Sequence, residues 1–291
     1  MSLPDPTTIA FFRAEETPDG EQLVPQPLAA SSWSAEQAHG VAVSGALARA
    51  AERELQTLDA DHLRIAKWSV DLFRPVRMQP VTTTATLVRR SARLALIDVV
   101  LHQDGEPVAR ASALALAVSE NPPAAIWTPS LSRPEAPPLE VAPETEMPHV
   151  PFIRSDADWS QRFGDHQNAG PHAEWTTMPS VVVGEPATAF QRAACVADAA
   201  NLVTNWGAEG VGHINADLTM TLARHPAGAS MGVAVLDRLE QDGIVVGTTT
   251  LFDRAGVFGS VVITAMANTR RQIDFTTVRY RDDGTRTEPG A

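Results

Sequence analysis

The chain has 291 residues, 44% of them hydrophobic and 20% charged, with a formal net charge of −12. That length holds two ordinary domains, and the acidic balance excludes broad nucleic-acid binding, which needs a concentrated basic face. Cys195 is the only cysteine, which rules out an intramolecular disulfide and a cysteine-based zinc site. The opening MSLPDPTTIAFFRAEE lacks a signal-peptide pattern, and no run of about 18 apolar residues marks a membrane span, so a cytoplasmic protein is expected.

Ser34-Ala-Glu-Gln37 has the capping-box pattern and predicts a helix running to about Leu55. Its expected buried stripe is Ala38, Val41, Ala42, Gly45, Ala46 and Ala50, so small that a sheet could wrap closely around the helix. Strands are predicted at Lys67–Phe73, Gln79–Val88, Leu94–His102 and Pro107–Val118, where Val, Thr and Leu alternate or cluster. From Ser119 to Pro151 nine prolines mark an extended linker across the outside of the domains. A second capping box, Thr188-Ala-Phe-Gln191, predicts a second Ala-rich helix to about Trp206. Strands follow at Asn215–Leu222, Ser230–Leu239, Ile244–Phe252 and Phe258–Ala267. The dipeptides Asp104-Gly105 and Asp242-Gly243 fit hairpin turns. From Asp274 a polar tail is expected to fray, with one more strand open at Phe275–Tyr280.

The second half repeats the first. WSVDLFRPV around Trp68 and its later Gly turn at Gly105 correspond to NADLTMTLARHP around Asn215 and the turn at Gly256. Pro75 to Gly105 and Pro226 to Gly256 are both 30 residues, and the copies stand about 151 residues apart. One helix followed by four or five antiparallel strands, twice, is an α+β pattern, and duplicated domains create a seam where a site can sit. The expected division is residues 1–120, a linker at 121–170, and 171–291.

Several residues carry candidate chemistry. Asp198 lies in the small apolar run Ala193-Ala-Cys-Val-Ala-Asp-Ala-Ala, where an acid costs free energy unless it meets a cavity or a partner. Asn201, three residues on, shares its face, so the two could orient one water or substrate group. Neither repeat register gives the first half a matching acid: the counterpart is Ser44 or Leu47, which suggests one working site per chain. The alternative for Asp198 is a structural carboxylate capping a loop or pairing with Arg192. Asn215 and Thr264 open or lie in strands, where polar residues are also routine. His39-Gly40 and Val41 open the first helix, whose N-terminal N–H groups favour developing negative charge. Arg74, Arg89, Arg90 and Arg224 suit phosphate groups or ordinary ion pairs. The tryptophans suit core packing or an apolar channel. No G-x-S-x-G elbow, dinucleotide fingerprint or metal-ligand spacing occurs, so neither metal nor nucleotide cofactor is expected.

The segments AHGVAVSGALARAAERE, WSVDLFRPV, Arg89-Arg90 and DGEPVARASALAL resemble the N-terminal half of double-hotdog acyl-CoA thioesterases of the acyl-CoA thioesterase II (TesB-like) superfamily. GEPATAFQRAACVADAANLVTNWG, NADLTMTLARHP and DRAGVFGSVVITA resemble the C-terminal half, so the likeness covers roughly residues 25–270. The resemblance implies two tandem hotdog domains, each a long helix wrapped by a curved antiparallel sheet. It implies an acyl-CoA substrate bound between them, coenzyme A entering only as part of that substrate, and further pairing into a homo-oligomer. It also implies hydrolysis by an activated water, with an acid, a hydroxyl or amide partner, and a Gln. By residue order these fall at Asp198, near Asn215 and near Thr264, with oxyanion donors near Gly40 and Val41. The chain departs from that set, with an amide where the hydroxyl stands and a hydroxyl where the Gln stands. Two rival functions follow: an acyl or acyl-CoA binding protein without turnover, and a hydratase or dehydratase. The latter would need a His such as His39 or His213 beside Asp198.

Overall fold

The computed structural model describes residues 5–123, 126–127, 133–280 and 286–287. The first half contains a hairpin of β1 (Ala10–Thr17) and β2 (Gly20–Pro25), the helix α1 (Gly40–Gln56), then β3 (Leu63–Asp71), β4 (Thr82–Arg90), β5 (Leu94–Gln103) and β6 (Glu106–Ala117). The second half begins with β7 (Phe152–Arg154), β8 (Ala173–Thr177) and β9 (Ser180–Val182). Two helices follow, α2 (Ala189–Asp198) and α3 (Ala200–Asn205), and then the short pair β10 (Trp206–Gly207) and β11 (Gly210–Val211). The long strands are β12 (His213–Leu222), β13 (Ser230–Gln241), β14 (Ile244–Asp253) and β15 (Gly256–Ala267); β16 (Arg279–Tyr280) and β17 (Arg286–Thr287) close the chain. All eight strands expected from the alternation are present. Asp104-Gly105 and Asp242-Gly243 turn two of the hairpins with all four residues at positive φ, which a two-residue hairpin loop of this type requires.

Ten strands form one antiparallel sheet in the order β4-β5-β6-β3-β12-β15-β14-β13-β8-β7. The two copies join at β3 and β12, where Ser69 faces Thr219, 150 residues later, and the Thr219 hydroxyl donates to Ser69 Oγ at 3.2 Å. A residue thus meets its own counterpart in the repeat.

Inside the sheet α1 and α2 run side by side in opposite directions. The Ser44 hydroxyl donates to the Ala194 carbonyl at 2.7 Å, and a Cβ added at Gly45 would sit 2.7 Å from Cys195 Sγ. The small residues of both helices therefore serve each other as well as the sheet. Every residue of α1 from Ala42 to Arg49 is buried. Across the seam Trp68 packs edge-on to Phe190 at 5.6 Å and donates its indole N–H to Ser44 Oγ at 3.1 Å. Complete burial of side chains such as Leu47, Phe190 and Ile263 stabilises the fold by about 1.5–3 kcal/mol each. Among the described residues no helix is long and apolar enough to cross a membrane.

Four expectations need correction. The first helix does not start from the Ser34 box: Ser34 Oγ accepts the Glu36 N–H within a turn, and the helix begins at Gly40 with His39 as its cap. Thr188 does cap α2, but Gln191 turns its amide to Glu52 on α1 instead of closing the box. The expected linker at 121–170 supplies β7, whose Phe152 and Arg154 pair with Trp175 and Ala173. The segment after Asp274 is not simply frayed, because Phe275 and Val278 pack with Ile153, Phe163 and Trp206 in a small second core. The open strand at Phe275–Tyr280 is realised only at β16, paired with β17; residues 281–285 and 288–291 of the tail lie outside the described residues.

Candidate active site

The site builds from the meeting of one helix end with another. Antiparallel packing sets the C-terminus of α2 against the N-terminus of α1, so Asp198 lies against Gly40. A Cβ added at residue 40 would fall 2.6 Å from Asp198 Cγ, so only glycine admits the carboxylate here. The Val41 N–H donates to that carboxylate, and Asn215 Nδ2 donates to Oδ1 at 2.9 Å. The Gly40 N–H donates to no acceptor among the described residues. His39, Gly40, Val41 and Asp198 all keep part of their surface exposed, which leaves this corner reachable from solvent.

Asn215 faces inward because of a β-bulge. On β12 the inward residues are Leu218, Met220 and Leu222, and strict alternation would send residue 215 outward. The register shifts between Asn215 and Asp217, which reverses the parity and turns the amide toward Asp198.

Burial pushes the Asp198 carboxyl up to about 6, against the pull of Asn215 and of the Val41 N–H. His39 goes the other way: burial pushes its imidazole down to about 4. Nε2 of His39 lies 2.9 Å from the Leu28 carbonyl, which only a ring N–H can satisfy, so Nδ1 is the acceptor of the Ala42 N–H at 3.0 Å. Both ring nitrogens are committed to fastening the helix start. His213 pairs with Glu240 at 3.4 Å. Neither histidine forms an acid–imidazole pair with Asp198, which removes the basis of the hydratase alternative.

The remaining sequence candidates separate. Asn201 follows an interruption of the helix at Ala199 and is engaged elsewhere than on Asp198: its amide donates to the His213 carbonyl at 3.2 Å and accepts from Asn205 at 2.9 Å. Thr264 lies on the outer face of β15, exposed, with its N–H on Asp217 Oδ1 at 2.6 Å. The inward residue paired with Asn215 is Ala265, whose methyl offers no hydrogen bond. Arg74 lies two residues beyond Leu72, whose N–H donates to the Ala216 carbonyl, and so flanks the Asn215 end of the seam. It is exposed and loosely paired with Glu106 at 3.7 Å. Arg224 stands at the opposite end, clamped by both Asp253 oxygens at 2.6 and 2.7 Å and by the Gly256 carbonyl. It is a structural arginine, remote from Asp198. Asp198 makes no ion pair with Arg192, which binds Glu146 at 2.9 Å.

Sequence reasoning missed Glu174. It is 3% exposed on β8, between the fully buried Val233 and Ile153 on the neighbouring strands. Burial and the nearby Asp198 charge push its carboxyl up to about 7. The signal in the sequence was an acid inside Ala-Glu-Trp-Thr-Thr, a strand too short for its inner face to be assigned.

The wrapped helices and the continuous sheet define a double hotdog. A hot-dog-fold protein from Alicyclobacillus acidocaldarius, 12% identical, superposes with a TM-score of 0.64 over 92% of this chain and all of that one. A TesB protein from Mycobacterium avium subsp. paratuberculosis, 16% identical, gives 0.61 over 84% of this chain and 92% of the other. An acyl-CoA thioesterase II, TesB2, from Mycobacterium marinum, 13% identical, gives 0.54 over 81% and 93%. No curated protein matches the sequence. Residues 29–116 match the acyl-CoA thioesterase N-terminal domain and residues 133–266 the acyl-CoA thioesterase C-terminal domain. The chain belongs to the acyl-CoA thioesterase family.

Proposed function

We propose that the protein hydrolyses acyl-CoA thioesters with Asp198 as the base that activates water. The observation that carries this reading is the placement of a half-buried carboxyl, pushed up to about 6, against the bare backbone of Gly40 at a helix start. A base with that value is mostly ionised at neutral pH yet still basic enough to take a proton from water. Asn215 orients the carboxylate, leaving lone pairs on the carboxyl for a water. The resulting hydroxide attacks the thioester carbonyl. The Gly40 N–H, without an acceptor among the described residues and at the positive end of α1, stabilises the oxyanion. Collapse of the tetrahedral intermediate breaks the carbon–sulfur bond. Arg74 at the seam mouth is the candidate contact for the coenzyme A phosphates.

Thiol release from a panel of acyl-CoAs tests the reading. Turnover in the parent protein that falls about 10²- to 10⁴-fold in a folded Asp198→Asn variant supports it. Unchanged turnover in that variant sinks it. A non-catalytic acyl-CoA binding protein is the second reading, favoured by the methyl of Ala265 where a third polar group would complete the site. Saturable binding of acyl-CoA without thiol release would decide for it.

A further inference from the structure

The structure places a second carboxyl level with the first. β8 runs antiparallel to the α2–α3 segment, and both ends of that alignment are fixed. At one end Arg192 is paired with Glu146, while the adjacent Thr145 carbonyl accepts the Thr177 hydroxyl at 3.3 Å. At the other end the Trp206 ring stacks on His172 at 5.0 Å. Asp198 lies six residues beyond Arg192, about 9 Å along a helix. Three residues back from Thr177, about 10 Å along a strand, is Glu174. Trp175 packs on the outer face with Phe252 and Ala142, so the alternation turns Glu174 inward, toward the helices. Its carboxyl has no hydrogen-bond partner among the described residues and is almost wholly buried. A buried acid with no partner costs free energy that packing alone does not explain.

We infer, resting on the hydrolase reading above, that Asp198 and Glu174 hold one proton between them, Asp198 serving as base toward water and Glu174 as acid toward the departing sulfur. The division of labour follows from their surroundings. Asp198 has Asn215 and the Val41 N–H to stabilise its charge; Glu174 has only Val233, Ile153 and an ionised neighbour. The proton therefore rests on Glu174, and the pair's higher and lower titrations are pushed to about 7 and about 6. Among the described residues the other ionisable groups around the pair are the Cys195 thiol, which burial pushes well up, the His39 imidazole at the α1 start and the His172 imidazole, both pushed down by burial, and the Arg192 guanidinium held by Glu146.

The cycle balances. Asp198 takes a proton from water as the C–O bond forms. Glu174 gives its proton to sulfur as the C–S bond breaks, releasing the thiol. Asp198 then passes its proton back to Glu174, and the carboxylic acid product loses its own proton to solvent.

The test compares an acyl-CoA with the S-phenyl thioester of the same acyl group, whose aromatic thiolate departs without a proton. Glu174→Gln is expected to slow acyl-CoA turnover about 10²-fold, to abolish the alkaline limb of its pH–rate profile, and to spare the phenyl thioester. Asp198→Asn is expected to lose both substrates. Equal losses on both substrates in Glu174→Gln, or an alkaline limb that persists, would overturn the assignment. A parent protein that hydrolyses neither thioester removes the hydrolase reading and the acid role with it. Carbon-13 carboxyl NMR then still decides the pairing: a Glu174 titration that drops in Asp198→Asn supports a shared proton, and one that stays put refutes it.

Discussion

The two ends of the helix pair use one construction and reach different results. At one end Asp198 of α2 meets the start of α1; at the other, Glu52 of α1 meets the start of α2. Asp198 rests on the backbone of Gly40, whereas the residue after the α2 cap is Ala189. Glu52 is held off by side chains, its Oε2 accepting from Thr188 Oγ1 at 2.7 Å and Gln191 Nε2 at 2.8 Å. At the offset that relates Ser69 to Thr219, the counterpart of the inward Asn215 is Ile65, which offers only its carbonyl, to His225 at 2.9 Å. A cleft of about 280 Å³ opens beside Glu52, lined by Leu55, Gln56, Leu63, Ile65 and His225. Helix ends facing carboxylates are thus a property of the duplicated fold. What separates the ends is the missing Cβ at residue 40 and the side chain that a bulge present in both copies turns inward, Asn215 in one and Ile65 in the other.

Exchanging the acids breaks this comparison most sharply. Asp198→Asn should lower thiol release about 10²- to 10⁴-fold, while Glu52→Gln, assayed beside it, should leave release unchanged. Equal losses would mean that both acids serve only packing. Gly40→Ala comes next. Its methyl displaces the Asp198 carboxylate, so turnover should fall about 10²-fold and unfolding should become easier by about 1–3 kcal/mol in denaturant titration. Gly45→Ala, pressing on Cys195, should cost stability alone.

The pH dependence sharpens the same contrast. Thiol release should decline as pH falls through about 6, where Asp198 protonates. In stability the sign is the reverse. An acid whose folded value is raised from 3.8 to about 6 holds its proton better when folded, so it stabilises the protein below that window and ceases to do so as pH rises through it. Melting temperatures of Asp198→Asn relative to the parent should therefore rise between about pH 4 and about pH 7. The smallest effects belong to residues outside the seam. Asn201→Ala should cost about 1 kcal/mol through its lost hydrogen bonds, with catalytic constants retained, and Thr264→Val should change neither.

The strands, both Asp-Gly turns, the duplication and the acid itself were legible in the sequence because each is a local pattern. Asp198 stood out as the lone charge in a run of small residues, and the small stripe announced close helix packing. The companions of Asp198 were less legible. Asn201 is taken up by the His213 carbonyl and Asn205, partners that no local pattern announces, and Thr264 faces outward because strand parity is decided by pairing. Asn215 faces Asp198 for a reason that no alternation rule contains, a bulge set by the β12–β15 register. Glu174 lies on a short strand whose inner face is defined only by neighbours distant in the chain.

The join at β3 and β12 has a consequence for the molecule as a polymer. Each half alone would present a long strand with one edge unpaired, which in the intact chain the other half covers. The hairpin β1–β2 adds a second fastening, because β1 pairs in parallel with β9 of the other half. A backbone cut in the proline-rich stretch between β6 and β7 would therefore leave two polypeptides shaped to recombine. The corner where Gly40 of one fragment meets Asp198 of the other would form again only on their reunion.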